Sequence, residues 1–113
     1  MIEETNMSRD LTHKVERLEL FEEKLEVILQ GISVFAEDQN LSIYGELLSA
    51  KGTGIISNIR IYFAVYDKLD RVVNHDYKII CEERFLGLET FVVILRNVDI
   101  DNISKIRIYC QRM

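Results

Sequence analysis

Residues 59–67 read Ile-Arg-Ile-Tyr-Phe-Ala-Val-Tyr-Asp, a run whose side-chain character alternates at nearly every step. A period of two belongs to an extended strand with one face buried, whereas the apolar positions of a helix recur every three or four residues. Ile59, Ile61, Phe63 and Val65 therefore share one face, and Arg60, Tyr62, Ala64 and Tyr66 share the other. Lys105–Gln111 repeats the scheme, with Ile106, Ile108 and Cys110 opposed to Arg107 and Tyr109. Two such strands bury an aliphatic face and present a tyrosine and arginine face.

From Leu25 onward, short apolar runs are broken by polar punctuation about every ten residues, the spacing of an all-β sandwich. The predicted strands are Glu26–Glu37, Leu41–Leu48, Ile56–Asp67, Arg71–Cys81, Thr90–Asn97 and Lys105–Gln111. Proline is absent, so Gly, Asn and Asp must make the turns, at 37–40, 51–54, 68–70 and 99–102. The first strand changes phase: Leu25, Val27 and Leu29 alternate before Gln30-Gly31, and Ile32 and Val34 after it. One extra residue at Gly31 restores the register, so a bulge or kink is predicted there.

The chain has 113 residues, which suits one domain with one core. Its formal charge of −5 is concentrated at the start, where residues 1–30 hold eight acids against four bases. Residues 31–113 hold eleven against ten, and a nearly neutral body offers no electrostatic footprint for nucleic acid or anionic lipid. Residues 1–24 read as an acidic N-terminal arm ahead of the β-domain of 25–113. Leu11, Val15, Leu18, Phe21 and Leu25 fall at helical spacing, Leu18 and Leu20 also alternate, and an arm of this acidity can fray, so helix, added strand and partial disorder stay open in that order.

No run approaches the ~18–20 apolar residues that span a bilayer, and the N-terminus is acidic where a signal peptide is basic and then apolar. The expected location is the cytoplasm, without membrane insertion. Cys81 and Cys110 are too few for a disulfide framework and read as reduced, half-buried core residues, with a disulfide between them as the lesser alternative.

Catalysis needs a nucleophile, a base and an orienting group held together. His75 and Asp76 are neighbours on a strand and point to opposite faces, and both cysteines fall in the apolar set, so no catalytic residue, cofactor or enzymatic activity is assigned. Asp67, Asp70, Asp99 and Asp101 form loop clusters that could hold calcium or a small ligand, although Asp99-Ile-Asp101 lacks the glycine and terminal glutamate of an EF-hand. The bland reading is that these aspartates make turns. Arg60, Tyr62, Arg107 and Tyr109 are the binding candidates, since Tyr and Arg carry interface hot spots; the alternative is that Tyr simply suits a half-exposed strand.

Phe63-Ala64-Val65-Tyr66-Asp67 resembles the signature of the FxLYD domain family, with Val65 in place of its Leu. The order of surrounding features is similar as well: Ile43-Tyr44-Gly45-Glu46, then Ile56–Ile59, Val72-Val73 after the turn, a glycine loop at Phe85–Glu89, and a strand opening on Phe91. The resemblance covers roughly 25–111. It implies a small immunoglobulin-like antiparallel β-sandwich of six or seven strands, of a mostly bacterial family without established enzymatic activity. The family's members are often carried on lipoproteins or behind a membrane anchor, and an acidic arm stands in that place here. Asp70 stands where the family's turn usually carries Gly, which requires Asp to take the left-handed conformation. The function expected is a non-catalytic binding or assembly module. It would act through the tyrosine and arginine face or an edge strand, on a protein partner that includes a second copy of itself. The alternative is a calcium- or small-ligand-binding sandwich.

Overall fold

The structure is a computed structural model that describes residues 8–113. The start of the acidic arm, 1–7, lies outside the described residues. The chain is mostly β, in two sheets of four strands each. Six long strands are β3 (Val27–Glu37), β4 (Asn40–Ser49), β5 (Ile59–Asp67), β6 (Val72–Ile80), β7 (Leu88–Leu95) and β8 (Ile103–Arg112). Each coincides with a predicted run to within a few residues. Ahead of them come β1 (Arg9–Asp10), a single 3-10 turn (Thr12–Lys14), β2 (Val15–Arg17) and one α-helix, α1 (Glu19–Leu25).

The first sheet has the order β1-β3-β4-β7 and the second β2-β8-β5-β6. All pairings are antiparallel except β2 with β8, which run parallel. The inward residues follow the alternation: Ile59, Ile61, Phe63 and Val65 are fully buried, as are Ile106, Ile108 and Cys110 from β8. Leu29, Leu41, Ile43 and Leu47 meet them from the first sheet, and Phe63 packs on Phe91 across the core at a centroid distance of 5.7 Å. Burying each such side chain contributes about 1.5–3 kcal/mol, so this seam is the main source of stability.

The phase change in β3 is a bulge. Its register with β4 shifts between Gln30 and Ser33, and Gly31 carries φ +63. The left-handed backbone costs a glycine little, and the extra residue returns Val34 and Ala36 to the core.

The helical spacing from Leu11 to Leu25 is realised as α-helix over Glu19–Leu25 and as a 3-10 turn over Thr12–Lys14; Val15–Arg17 is instead a strand on β8. Leu11 and Leu25 are both core residues, so this segment laces one side of the sandwich from the first sheet to the second and back. A seven-residue helix cannot stand alone and depends on its packing. Glu22, 3% exposed, anchors it. Its Oε1 accepts from Arg17 Nη2 at 2.7 Å and from the Leu29 amide at 2.9 Å, and the bond to Glu22 raises the Arg17 pKa. Removing one partner of such a pair strands the other charge, which is why the contact holds the helix in place.

On the opposite side, β6 and β7 end their sheets with no further strand on them among the described residues. No helix among the described residues is long and apolar enough to cross a membrane.

Candidate functional site

The outer face of the second sheet carries a row of rings. Tyr62 on β5 and Tyr109 on β8 are direct register partners, with centroids 5.2 Å apart and planes 18° from parallel. Tyr77 of β6 is the register partner of Tyr62 on its other side, at 5.9 Å, and Phe21 of α1 extends the row beyond Tyr109 at 5.8 Å. Offset-stacked and tilted pairs of this kind are worth about 0.5–1.5 kcal/mol each beyond their burial. The row is therefore a rigid platform, open at Tyr77, which is 45% exposed.

Arg60 lies along this platform. Its Nη1 donates to the Tyr62 hydroxyl at 3.3 Å, and its guanidinium carbon sits 4.9 Å from the centre of the Tyr77 ring. The hydrogen bond to Tyr62 raises its pKa. Among the described residues no carboxylate pairs with Arg60, and its buried Nε has no hydrogen-bond partner.

Arg107 belongs to a second cluster. Its Nε donates to Glu16 of β2, its Nη1 donates to the Tyr66 hydroxyl at 3.3 Å, and Lys105 Nζ lies 4.9 Å from the centre of the Tyr66 ring. The Glu16 bond, followed by the Tyr66 bond, raises the Arg107 pKa, and the Arg107 bond holds Glu16 below the usual carboxylate range. Of the four binding candidates, Arg60, Tyr62 and Tyr109 thus share one surface, while Arg107 is already neutralised. Tyr77 and Phe21 complete the row without having been singled out from sequence. Tyr77 follows from no simple count along the hairpin, because β5 and β6 shift register between Val65 and Tyr66.

The four aspartates do not converge. Asp67, 2% exposed, accepts from the Leu69 amide, the Arg71 amide and Arg71 Nε, each at 2.9 Å. The Arg71 amide is the main reason its pKa is held below the usual value. Asp70 takes φ +62, the left-handed turn position, and its carboxylate lies 3.4 Å from Lys105 Nζ. Asp101 pairs with Arg9 at 3.1 Å. Asp67 and Asp99 line a common cavity, of about 150 Å³, together with Asn74, Asn97 and Asn102. Among the described residues no group of three or more His, Cys, Asp or Glu side chains is placed to hold a metal ion.

His75 and Asp76 are both exposed, and Asp76 Oδ1 accepts from the Tyr77 amide at 2.7 Å. Cys110 is buried and Cys81 half-buried, and both are free thiols. Cys81 lies just past β6, where Arg84 Nη2 approaches its sulfur at 3.6 Å.

No family model, no curated protein and no solved structure matches the chain.

Proposed function

We propose that this protein is a non-catalytic binding module. Its recognition surface is the row Tyr77–Tyr62–Tyr109 with Arg60, and the partner is a protein segment carrying a carboxylate. The observation that carries this reading is Arg60 itself: a guanidinium held over a tyrosine ring, beside exposed aromatic surface, with no acid paired to it among the described residues. Rigid aromatic area binds at low entropic cost, and an arginine fork gives a carboxylate a bidentate site. The exposed β6 edge, next to Tyr77, adds a row of backbone groups along which an extended segment could lie.

The fold reading that accompanies this proposal is an FxLYD-like, immunoglobulin-like sandwich. In its support, the first strand is divided between the two sheets as β1 and β2, Asp70 adopts the left-handed turn that the family gives to Gly, and Gly45 and Phe91 are partners. β3 and β4 share one sheet, whereas constant-type immunoglobulin domains put their second and third strands in different sheets. The likeness proposed is one of architecture.

A phage-displayed random peptide library panned on the full chain tests the function. The expected result is enrichment of carboxylate-bearing peptides whose binding falls at least tenfold in Arg60→Glu and in Tyr77→Ala. Failure to enrich any peptide, or binders indifferent to both substitutions, would overturn it.

A further inference from the structure

The other sheet presents a face of different chemistry. On the outside of β3, β4 and β7, Ile28, Tyr44, Leu88, Val92 and Ile94 are each between 42% and 51% exposed. They are aligned by register: Tyr44 opposite Val92, Ser42 opposite Ile94 and Phe35, and Leu48 opposite Leu88 and Ile28. Phe35 and Tyr44 meet edge to face at 6.3 Å. The three strands contain no Lys, Arg or Asp. Two carboxylates lie on this face: Glu46, which accepts from Gln30 Nε2 at 2.8 Å, and the exposed Glu37 at the end of β3, beside Phe35, Ser42 and Tyr44.

We infer that this face is the contact surface of a homodimer, packed against the same face of a second copy. Without a cation the face attracts neither an acidic partner nor anionic lipid, so the complement we assign it is an equally apolar, equally twisted β-surface. A second copy presents one, in the aligned face-to-face packing by which sandwich sheets already associate. The symmetry also keeps the carboxylates of the two copies apart. A two-fold axis lying across the strands at the Tyr44–Val92 row sets Glu46 of one copy over Ser42 of the other, a hydroxyl rather than a like charge.

The size is adequate but small. Three strands at ~4.8 Å spacing and eight residues at ~3.4 Å span roughly 400 Å² in projection, before side-chain relief and rim are added. That lies within the range of about 300–600 Å² for the largest apolar patch on a monomer, and approaches the ~600 Å² per partner at the low end of specific interfaces. The dimer is therefore one that concentration reveals.

Sedimentation velocity of the full chain over roughly two decades of concentration, from micromolar upward, tests this. The expected result is a mass that rises from one chain to two and stops there. Val92→Lys raises the dissociation constant at least tenfold, while His75→Ala on the other sheet leaves it unchanged. If Val92→Lys does not melt cooperatively, Ile94→Thr keeps a β-branched side chain and reads the same contact, with a several-fold weakening expected. A monomer throughout, growth past two chains, or folded variants of this face that assemble like the parent would each overturn the inference. Loss of peptide binding by Arg60→Glu bears only on the opposite face, so the two readings fail separately.

Discussion

Gly45 and Phe91 are register partners on β4 and β7, and the Phe91 ring occupies the space that a Cβ on residue 45 would need. An added Cβ would lie 2.6 Å from Phe91 Cζ and 2.6 Å from Ile32 Cδ1. Ile32 reaches this spot only because of the bulge at Gly31, so two glycines and one aromatic ring define the packing at this end of the first sheet. Gly45→Ala should therefore cost about 1–3 kcal/mol, the usual penalty for forcing atoms into a filled core. Urea unfolding measures it, and Gly45→Ala combined with Phe91→Leu should recover part of the loss; an unchanged midpoint for Gly45→Ala would refute the packing argument.

Asp67 organises the β5–β6 turn as a carboxylate, through two backbone amides and the Arg71 side chain. Because its folded pKa lies below the usual 3.8, its contribution is present above that value and is lost as pH falls through the folded pKa. Asp67→Asn should lower the melting temperature at pH 7 by roughly 5 °C. As pH falls below 3.8 and through the folded pKa, the gap between the wild-type and variant midpoints should close. Parallel melting curves at every pH would show that the charge is not what the turn uses.

The two thiols should differ sharply in reactivity. Burial pushes the Cys110 pKa up to about 12, whereas Cys81 is half-buried at a strand end. A disulfide-exchange reagent at neutral pH should titrate Cys81 in the native protein and reach Cys110 only after denaturant is added. The folded state prefers the Cys110 thiol protonated, so this contribution to stability is complete below the ordinary pKa of 9.0 and declines as pH rises from there towards 12. Equal labelling rates for both cysteines in the native protein would contradict this.

Calcium should leave the melting temperature where it is, within about 1 °C of the value in chelator. Asp67 spends its oxygens on amides and Arg71, Asp70 faces Lys105, and Asp101 faces Arg9, so few acidic oxygens are left to converge on a cation. A rise of several degrees would instead point to the cavity shared by Asp67 and Asp99.

Stacking in the tyrosine row can be isolated by a double-mutant cycle. Tyr62→Ala, Tyr109→Ala and the pair together should give a coupling energy near 1 kcal/mol, since the two rings touch and their plane angle is small. Additive effects would mean that the row is only a coincidence of register.

Much of this fold was readable in advance because its determinants are local. Alternation in 59–67 and 105–111 assigns the inward and outward sets without reference to any other strand, since side-chain direction in a strand depends only on position. The phase change around Gly31 is likewise a local count, and it located the bulge. The left-handed turn at Asp70 was implied by the resemblance, which puts Gly there, and Asp tolerates that backbone. What the sequence by itself determined is thus an all-β chain with six long strands and a tyrosine and arginine surface.

Tertiary structure alone decided which strands meet. Tyr77 joins Tyr62 because an extra residue at Val73 slips the β5–β6 register, and Phe21 reaches Tyr109 because β2 pairs in parallel with β8 and leaves α1 beside it. The same sorting of strands into sheets neutralised Arg107 with Glu16, left Arg60 without an acid among the described residues, and gathered Tyr44, Val92 and Ile94 into one largely apolar face. Pairing free energy is set by non-local contacts, each closing a long loop, so no stretch of sequence contains it.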